Sequence, residues 1–296
     1  MLFRSTVVIG RYQNPWSECD VQKMEEDNII LARRQSGGGA VFHDLNNTNF
    51  TFLSGINEYS KERNNGIITK ALESFGVNAY ASGRNDILVD EKKISGSAFK
   101  LKKDRAFHHG TLLINTDMKR LARYLTPSPK KLQAKGVSSV QTRVANLADY
   151  NPVINHESIC QAIIKSFSDY YGIETAPEIL DHSRLSSIPG LINYFNLMKD
   201  WDWRFGKTPE FSHRMDEKLT WAWVELYLDV QEGIISEAKL YSDALISDLI
   251  LEINKILVGC RYKKEELSLS FESLTKTLPE YKSEIKEFSE WLLKNI

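Results

Sequence analysis

The spacing of apolar residues changes period along this chain, and each change marks an element. Thr6–Ile9 is a short apolar run ended by Gly10, which predicts a buried strand. Asp20 is placed to cap a short helix running through Met24. Two apolar runs, Ile29–Ala32 and Ala40–Phe42, flank a glycine-rich stretch and predict strand, loop, strand. Asn49–Leu53 alternates as a further strand. Ile68, Ala71, Leu72 and Phe75 fall at i, i+3, i+4 and i+7, one face of a helix, with Gly76 just past its end. Residues 78–114 read as a strand meander: Asn78–Ala81, Ile87–Val89, Lys93–Phe99 and Phe107–Ile114, with a tight turn at Asp90-Glu91.

Asp117 opens a helix whose apolar face is Met118, Leu121, Ala122 and Leu125. The periodicity then stops. Residues 126–143 combine prolines, lysines, serines and a glycine into a long basic loop, and loops of this length in compact domains are usually functional or unstructured. Asn155 caps a helix carrying Ile159, Ile163, Phe167 and Tyr170, stopped by Gly172. The aromatic stretch Trp201–Phe211, punctuated by Gly206 and Pro209, marks a boundary. Its aromatic residues read as packing anchors rather than a stacking site for substrate. Beyond it, Val224, Leu226, Leu228 and Val230 alternate as a half-buried strand, Gly233 permits a turn, and Ile235–Tyr241 returns. Helices follow, with Ile246, Leu249, Ile250, Ile253 and Leu257 on one face and Ile285, Phe288 and Leu292 on a later one. The pattern predicts an α+β protein with a first domain over residues 1–206 and a smaller α+β domain over 207–296.

Composition narrows the class. The 296 residues are 42% hydrophobic and 26% charged, ordinary for a globular protein. The formal charge of −1 gives no electrostatic reason to expect nucleic-acid binding. Cys19, Cys160 and Cys260 are far apart, which fits a reducing compartment and argues against a disulfide framework or a cysteine-built zinc site. No apolar run approaches the ~20 residues of a membrane span, and the start has no secretory h-region. A cytoplasmic protein is expected.

The candidate chemistry concentrates in a few segments. Arg33-Arg34-Gln35-Ser36-Gly37-Gly38-Gly39-Ala40-Val41-Phe42-His43-Asp44 places glycines after two arginines. Backbone without side chains lets a bound group approach closely, and its N–H groups can turn toward an anion. A surface hairpin is the alternative. Gly83-Arg84-Asn85-Asp86-Ile87 offers compact polar groups at the mouth of a strand, and in Lys93–Ala98 a lysine opens a strand whose Gly96 admits close packing. These residues fit a nucleotide site, or simply a turn with an exposed lysine. His108-His109 reads as a pair of strand-end histidines bonded to backbone, without the spacing of a metal site. The basic loop, with Lys130, Lys131, Lys135, Gly136 and Arg143, fits either a cover over an anionic ligand or a surface excursion.

Five motifs occur in order: R-R-Q-S-G-G-G-A-V-F-H-D, G-R-N-D-I, K-I-S-G-S-A, F-H-H-G-T-L-L and A-K-G-V-S-S-V-Q-T-R-V. In this the chain resembles the lipoate–protein ligase A family, from about Thr6 to the C-terminus. The resemblance implies a catalytic domain like that of biotin and lipoate protein ligases, with mixed sheets and flanking helices, and a small accessory domain. It implies two steps: lipoate and ATP, with Mg²⁺, give lipoyl-adenylate and pyrophosphate. The acyl group then passes to a lysine of a lipoyl domain of an E2 subunit or of glycine-cleavage H protein. Lipoate or octanoate is the small-molecule substrate, and a monomer is expected.

By the resemblance, Lys93 acts in both steps. Arg34, Gly39, Ala40, Val41, Phe42, Asn85, Asp86, Lys93, Lys135 and Gly136 meet ATP or the adenylate. Arg33, Ser36, Gly37, Gly38, Gly39, His43 and Lys93 meet lipoate, and Asp86 is the candidate for contact with Mg²⁺. Val41 and Ile87 are expected near the acyl slot, and residues 126–143 resemble the adenylate-binding loop. Two departures stand out. Family members carry some tens of residues before the position of Thr6, so either the start is truncated or part of the pocket wall is missing here, and a cost in stability and activity is expected. Asn46 stands where the family has glycine; asparagine tolerates the left-handed conformation best after glycine. Two other functions compete: transfer of lipoyl or octanoyl groups without ATP, through a cysteine, and a shortened lipoate-binding protein without turnover.

Overall fold

The computed structural model describes residues 5–83, 85–125, 144–174, 176–180, 187–205, 213–231 and 233–296, without the side chains of Trp16 and Ser17. It divides into two compact units. The first holds residues 1–9, 15–33 and 40–206; the second holds 10–14, 34–39 and 207–296.

The first unit opens with β1 (Thr6–Ile9), α1 (Pro15–Glu18) and α2 (Val21–Glu26). Asp20 caps α2, accepting from the Lys23 N–H at 3.1 Å. β2 (Ile30–Arg33) and β3 (Val41–His43) do not pair with each other. They lie on either side of β1, parallel and antiparallel to it, so the glycine-rich segment is not a hairpin loop but a crossover.

A five-stranded antiparallel sheet follows. β4 (Asn47–Gly55) precedes α3 (Lys61–Glu73), then come β5 (Tyr80–Ser82), β6 (Asp86–Val89), β7 (Lys92–Leu101) and β8 (Arg105–Leu113), in the order β4-β8-β7-β6-β5. α4 (Met118–Tyr124) is capped by Asp117, and α5 (His156–Tyr171) by an Asn155–Ser158 box and by Gly172 at φ 64°. α6 (Leu191–Lys199) and the one-turn α7 (Trp201–Arg204) complete the unit. α3 and α5 pack together, with Ser166 Oγ donating to the Ile67 carbonyl at 2.8 Å. Their apolar faces and the rear of the large sheet form one core of Phe50, Ile68, Leu72, Ile87, Ile94, Leu112 and Ile159.

The second unit has an antiparallel sheet of β9 (His213–Lys218), β10 (Trp223–Gln231) and β11 (Ile234–Ser242), followed by α8 (Ser247–Leu257), α9 (Lys264–Thr277) and α10 (Lys282–Lys294). Its core gathers Leu226, Leu228, Ile250, Leu267 and Phe288. β10 is the central strand, and its first half is buried on both faces, including Glu225 at 6% exposure. It is therefore not the half-buried strand that its alternation suggests. Among the described residues no helix is long and apolar enough to cross a membrane.

Candidate active site

Lys93 owes its place to an irregular hairpin. Asp90 and Glu91 both take positive φ, 48° and 61°, the conformation of a two-residue primed turn that matches strand twist. Pairing starts regularly, with Val89 opposite Lys92 and Leu88 opposite Lys93. The register then shifts: Ile87 pairs with Ser95 and Asp86 with Gly96. Ile94 is the extra residue of this bulge, fully buried in the rear core. In a regular strand, residues three apart face opposite ways. The bulge removes that alternation and puts Lys93 and Gly96 on one face.

That face is the open front of the sheet, where Asn49 and Thr51 are exposed. Lys93 Nζ lies 2.6 Å from Asp86 Oδ1, with the side chains 23% and 11% exposed. A Cβ built on Gly96 would stand 2.7 Å from Lys93 Nζ. Gly96 does admit close packing, but the group it admits is the lysine of its own strand. Asn85 serves the sheet frame: its Nδ2 donates to the Ser97 carbonyl at 2.7 Å, and its carbonyl accepts from Ser97 N–H at 2.8 Å. Ile87, expected near the acyl slot, is buried in the rear core.

The two histidines of β8 sit in mid-strand, not at its end, and part to opposite faces. His109 lies against Phe107 at 4.6 Å. His108 is fully buried on the rear among Phe50, Phe52 and Phe99, with Nδ1 3.2 Å from Asn64 Nδ2 and no partner for Nε2. Burial, with a smaller push from Lys61, lowers its pKa to about 4, so the ring is neutral. An unfolded histidine titrates near 6.5, so the unfolded chain takes up this proton first. Stability is therefore full above pH 6.5 and is lost as pH falls toward 4, by roughly 3 kcal/mol from this group. Urea titrations at pH 7 and pH 4.5 check this: His108→Gln should flatten the dependence, and an unchanged slope would assign it elsewhere.

The glycine loop belongs to the second unit. Arg11 N–H donates to the Ser36 carbonyl at 2.9 Å and Gly38 N–H to the Ala244 carbonyl at 3.0 Å. A Cβ on Gly37 would fall 2.1 Å from the Ala244 oxygen, and one on Gly10 2.1 Å from the Gly38 oxygen. Gly38 itself has φ 89°. Two of the three glycines expected to receive ligand thus serve the chain's own packing and turn. Gly39 differs: among the described residues nothing lies within 4 Å of its Cβ position. Arg34 closes the loop, its guanidinium donating to the carbonyls of Gly37 at 2.7 Å and Gly39 at 2.8 Å. Desolvation lowers its pKa to about 10, which leaves it charged at neutral pH.

The remaining candidates fall elsewhere. Arg33 is buried and donates to the carbonyls of Trp203 at 2.7 Å and Arg204 at 2.9 Å, while Trp203 Nε1 donates back to the Arg33 carbonyl. Arg33 and the aromatic segment thereby explain each other as packing. Ser36 is fully buried, and Val41 and His43 are half-buried in β3. The Phe42 ring is core, 5.4 Å from Tyr124, so only its backbone can face a ligand. Ala40 leads into β3 as a partly buried residue. Asn46 takes no positive φ, so the position makes no demand for glycine. Lys135, Gly136, Arg143 and Arg84 lie outside the described residues. Val144 pairs with Lys93, and Ala145 N–H donates to the Lys93 carbonyl at 3.0 Å.

None of the cysteines is poised as a nucleophile. Burial pushes the Cys19 thiol up to about 12 and raises that of Cys160, and Cys260 Sγ lies 2.9 Å from the Ile256 carbonyl. A lysine–aspartate pair on an open sheet face, with no reactive thiolate, suits an enzyme that activates a carboxylate on a phosphate and hands the acyl group on. That is the class of the biotin and lipoate protein ligases. Residues 3–168 match the family described as lipoyl protein ligase A/B catalytic domain, and 208–292 the bacterial lipoate protein ligase C-terminus. A lipoate-protein ligase A of Psychrobacter cryohalolentis is 51% identical over 293 residues, covering 97% of this chain and 86% of the relative. Among solved structures, P. falciparum LipL1 in complex with lipoate superposes with TM-score 0.85 at 37% identity, over 99% of this chain and 85% of that one. A bipartite lipoate protein ligase from Thermoplasma acidophilum, solved with its E2 lipoyl domain, gives TM-score 0.60 at 27% identity, over 72% and 84%. A lipoate-protein ligase A bound with ATP gives 0.58 at 27%, over 69% and 83%. The chain belongs to the lipoate–protein ligase A family.

Proposed function

We propose that the chain performs ATP-dependent lipoylation with Lys93 as its central charge. The lipoate carboxylate attacks the α-phosphorus of ATP, pyrophosphate leaves, and lipoyl-adenylate forms. An acceptor lysine amine then attacks the acyl carbonyl, and AMP leaves. Negative charge builds first on phosphate oxygens and then on the carbonyl oxygen. An ammonium placed where that charge develops stabilises both transition states. Lys93 carries three donors, so its contact with Asp86 leaves others for ligand oxygens. That 2.6 Å pair on the open sheet face, in a chain of this family, carries the reading.

The open backbone at Gly39 suits close approach of an anionic group, with Arg34 holding the loop in shape. Lys135 and Gly136 keep the adenylate-loop role that the family resemblance implies, in a segment that ends next to the residue paired with Lys93. Among the described residues no three His, Cys, Asp or Glu side chains gather around a metal position. An Mg²⁺ ion carried on ATP phosphates needs only one or two carboxylates, and Asp86 is the residue in place to touch it. Such an ion neutralises phosphate charge when bound. The acceptors are lipoyl domains of E2 subunits and glycine-cleavage H protein, lipoate or octanoate is the acyl substrate, and the cytoplasm is the compartment, in line with three free cysteines. Against the cysteine-dependent, ATP-free reading, burial raises the Cys19 and Cys160 thiols, and Cys260 Sγ is bonded to the Ile256 carbonyl.

Mass spectrometry of an apo lipoyl domain incubated with the protein, ATP, Mg²⁺ and lipoate is the test. The expected result is a lipoyl adduct that requires ATP, with pyrophosphate released. Transfer without ATP would make the chain a transferase, and binding without either product would make it a binder.

A further inference from the structure

We propose that Gly96 and Asp86 are positioning residues that set where the Lys93 ammonium stands, a step that rests on the role of Lys93 given above. The bulge at Ile94 puts Lys93 and Gly96 on the same face of the sheet. The side chain then lies back along its own strand, and its last two heavy atoms, Cε and Nζ, come within 2.8 and 2.7 Å of where a Gly96 Cβ would be. Real Cβ atoms do not tolerate such distances. Gly96 has no positive φ to explain it, and among the described residues its Cβ position meets Lys93 alone. Asp86, directly opposite Gly96 in the register, draws the ammonium to this spot at 2.6 Å. The glycine supplies the room, the carboxylate supplies the pull, and the bulge supplies the phase.

A methyl at residue 96 meets the far end of a flexible side chain rather than backbone. The cheap response is for the lysine to move, so Gly96→Ala should fold normally while displacing Nζ. Its effect must then pass through Lys93, which a double-mutant cycle reads directly. Pyrophosphate release at saturating lipoate and ATP is measured for Gly96→Ala, Lys93→Met and the double variant, each checked by thermal melting. Gly96→Ala alone is expected to lower kcat by about 10²-fold, the scale for losing one aligned charge stabiliser. In the Lys93→Met background the same change should cost nothing further. The KM for ATP should move less than kcat, since the charge is misplaced rather than removed.

Asp86→Asn, measured at saturating Mg²⁺ so that any contact of Asp86 with the ion does not limit the rate, offers a second cycle that does not depend on the methyl: its effect should likewise vanish in Lys93→Met, and Asp86→Glu should recover part of the rate. Equal losses in both backgrounds would make Gly96 and Asp86 structural and overturn the positioning role while leaving Lys93 in the mechanism. A near-normal rate in Lys93→Met itself would overturn both.

Discussion

Lys93→Ala is expected to slow pyrophosphate release by ~10²–10³-fold, about 3–4 kcal/mol of lost transition-state stabilisation. The size follows from where the charge sits. The ammonium lies on an open sheet face and is only 23% exposed, so solvent screens it less than a surface lysine. Removing it also takes the lysine's charge away from Asp86, 11% exposed at its side chain, which then faces incoming phosphates without that counter-charge. Both effects push the same way. Acyl transfer should suffer too, because the same group meets the carbonyl oxygen. Supplying chemically prepared lipoyl-adenylate to the variant separates the steps. A variant slow in adenylation but normal in transfer would confine Lys93 to the first, and near-wild-type adenylation would remove it from the mechanism.

Adjacent glycines of the loop should answer very differently to the same added methyl. Gly37→Ala drives a Cβ against the Ala244 carbonyl oxygen at 2.1 Å, and backbone cannot step aside as a side chain end can. The loop must shift, and an overpacked site of this kind costs about 1–3 kcal/mol. Gly10→Ala meets the Gly38 oxygen at the same distance and should behave likewise. Gly39→Ala meets nothing within 4 Å among the described residues. It should melt like the parent and weaken lipoate binding by about 10–200-fold, the span for one misplaced methyl group in a binding contact. Calorimetric melting and lipoate titration of the three variants give the comparison. A Gly39→Ala protein with unchanged lipoate affinity would take the loop out of the site.

Much of the fold was legible because the long elements announce themselves. Ile68, Ala71 and Leu72 do face the core from α3, and Asn155 and Gly172 bound α5 as their chemistry suggests. β9 was illegible for a physical reason. Apart from Met215, which packs against the core, His213–Lys218 is polar and charged, an edge strand held mainly by pairing with β10. The crossover of the glycine loop was hidden as well, since local pattern cannot say that β1 lies between β2 and β3. At the site, motifs marked the segments but not the directions of the side chains. Whether Gly96 packs against a ligand or against Lys93 depends on one bulged residue, Ile94, which has no signature of its own. Likewise, Gly37, Gly38 and Gly39 look equivalent in sequence, and what separates them includes the backbone angle of Gly38 and contacts with Ala244, some two hundred positions later.

The broken membership of the second unit bears on how the protein is made. Tyr12, whose carbonyl accepts from Ser242 N–H, and Gly38, whose N–H reaches Ala244, are synthesised early, and their partners come near the end. At roughly 5–20 residues per second, ten seconds or more pass between those events. The unit therefore closes after most of the chain has been translated, and nascent Gly10–Asn14 and Arg34–Gly39 wait without their final neighbours. A gene cut after residue 206 would keep both segments and discard what they pack on, so its product is not a shortened enzyme but a chain with two loops left without a home.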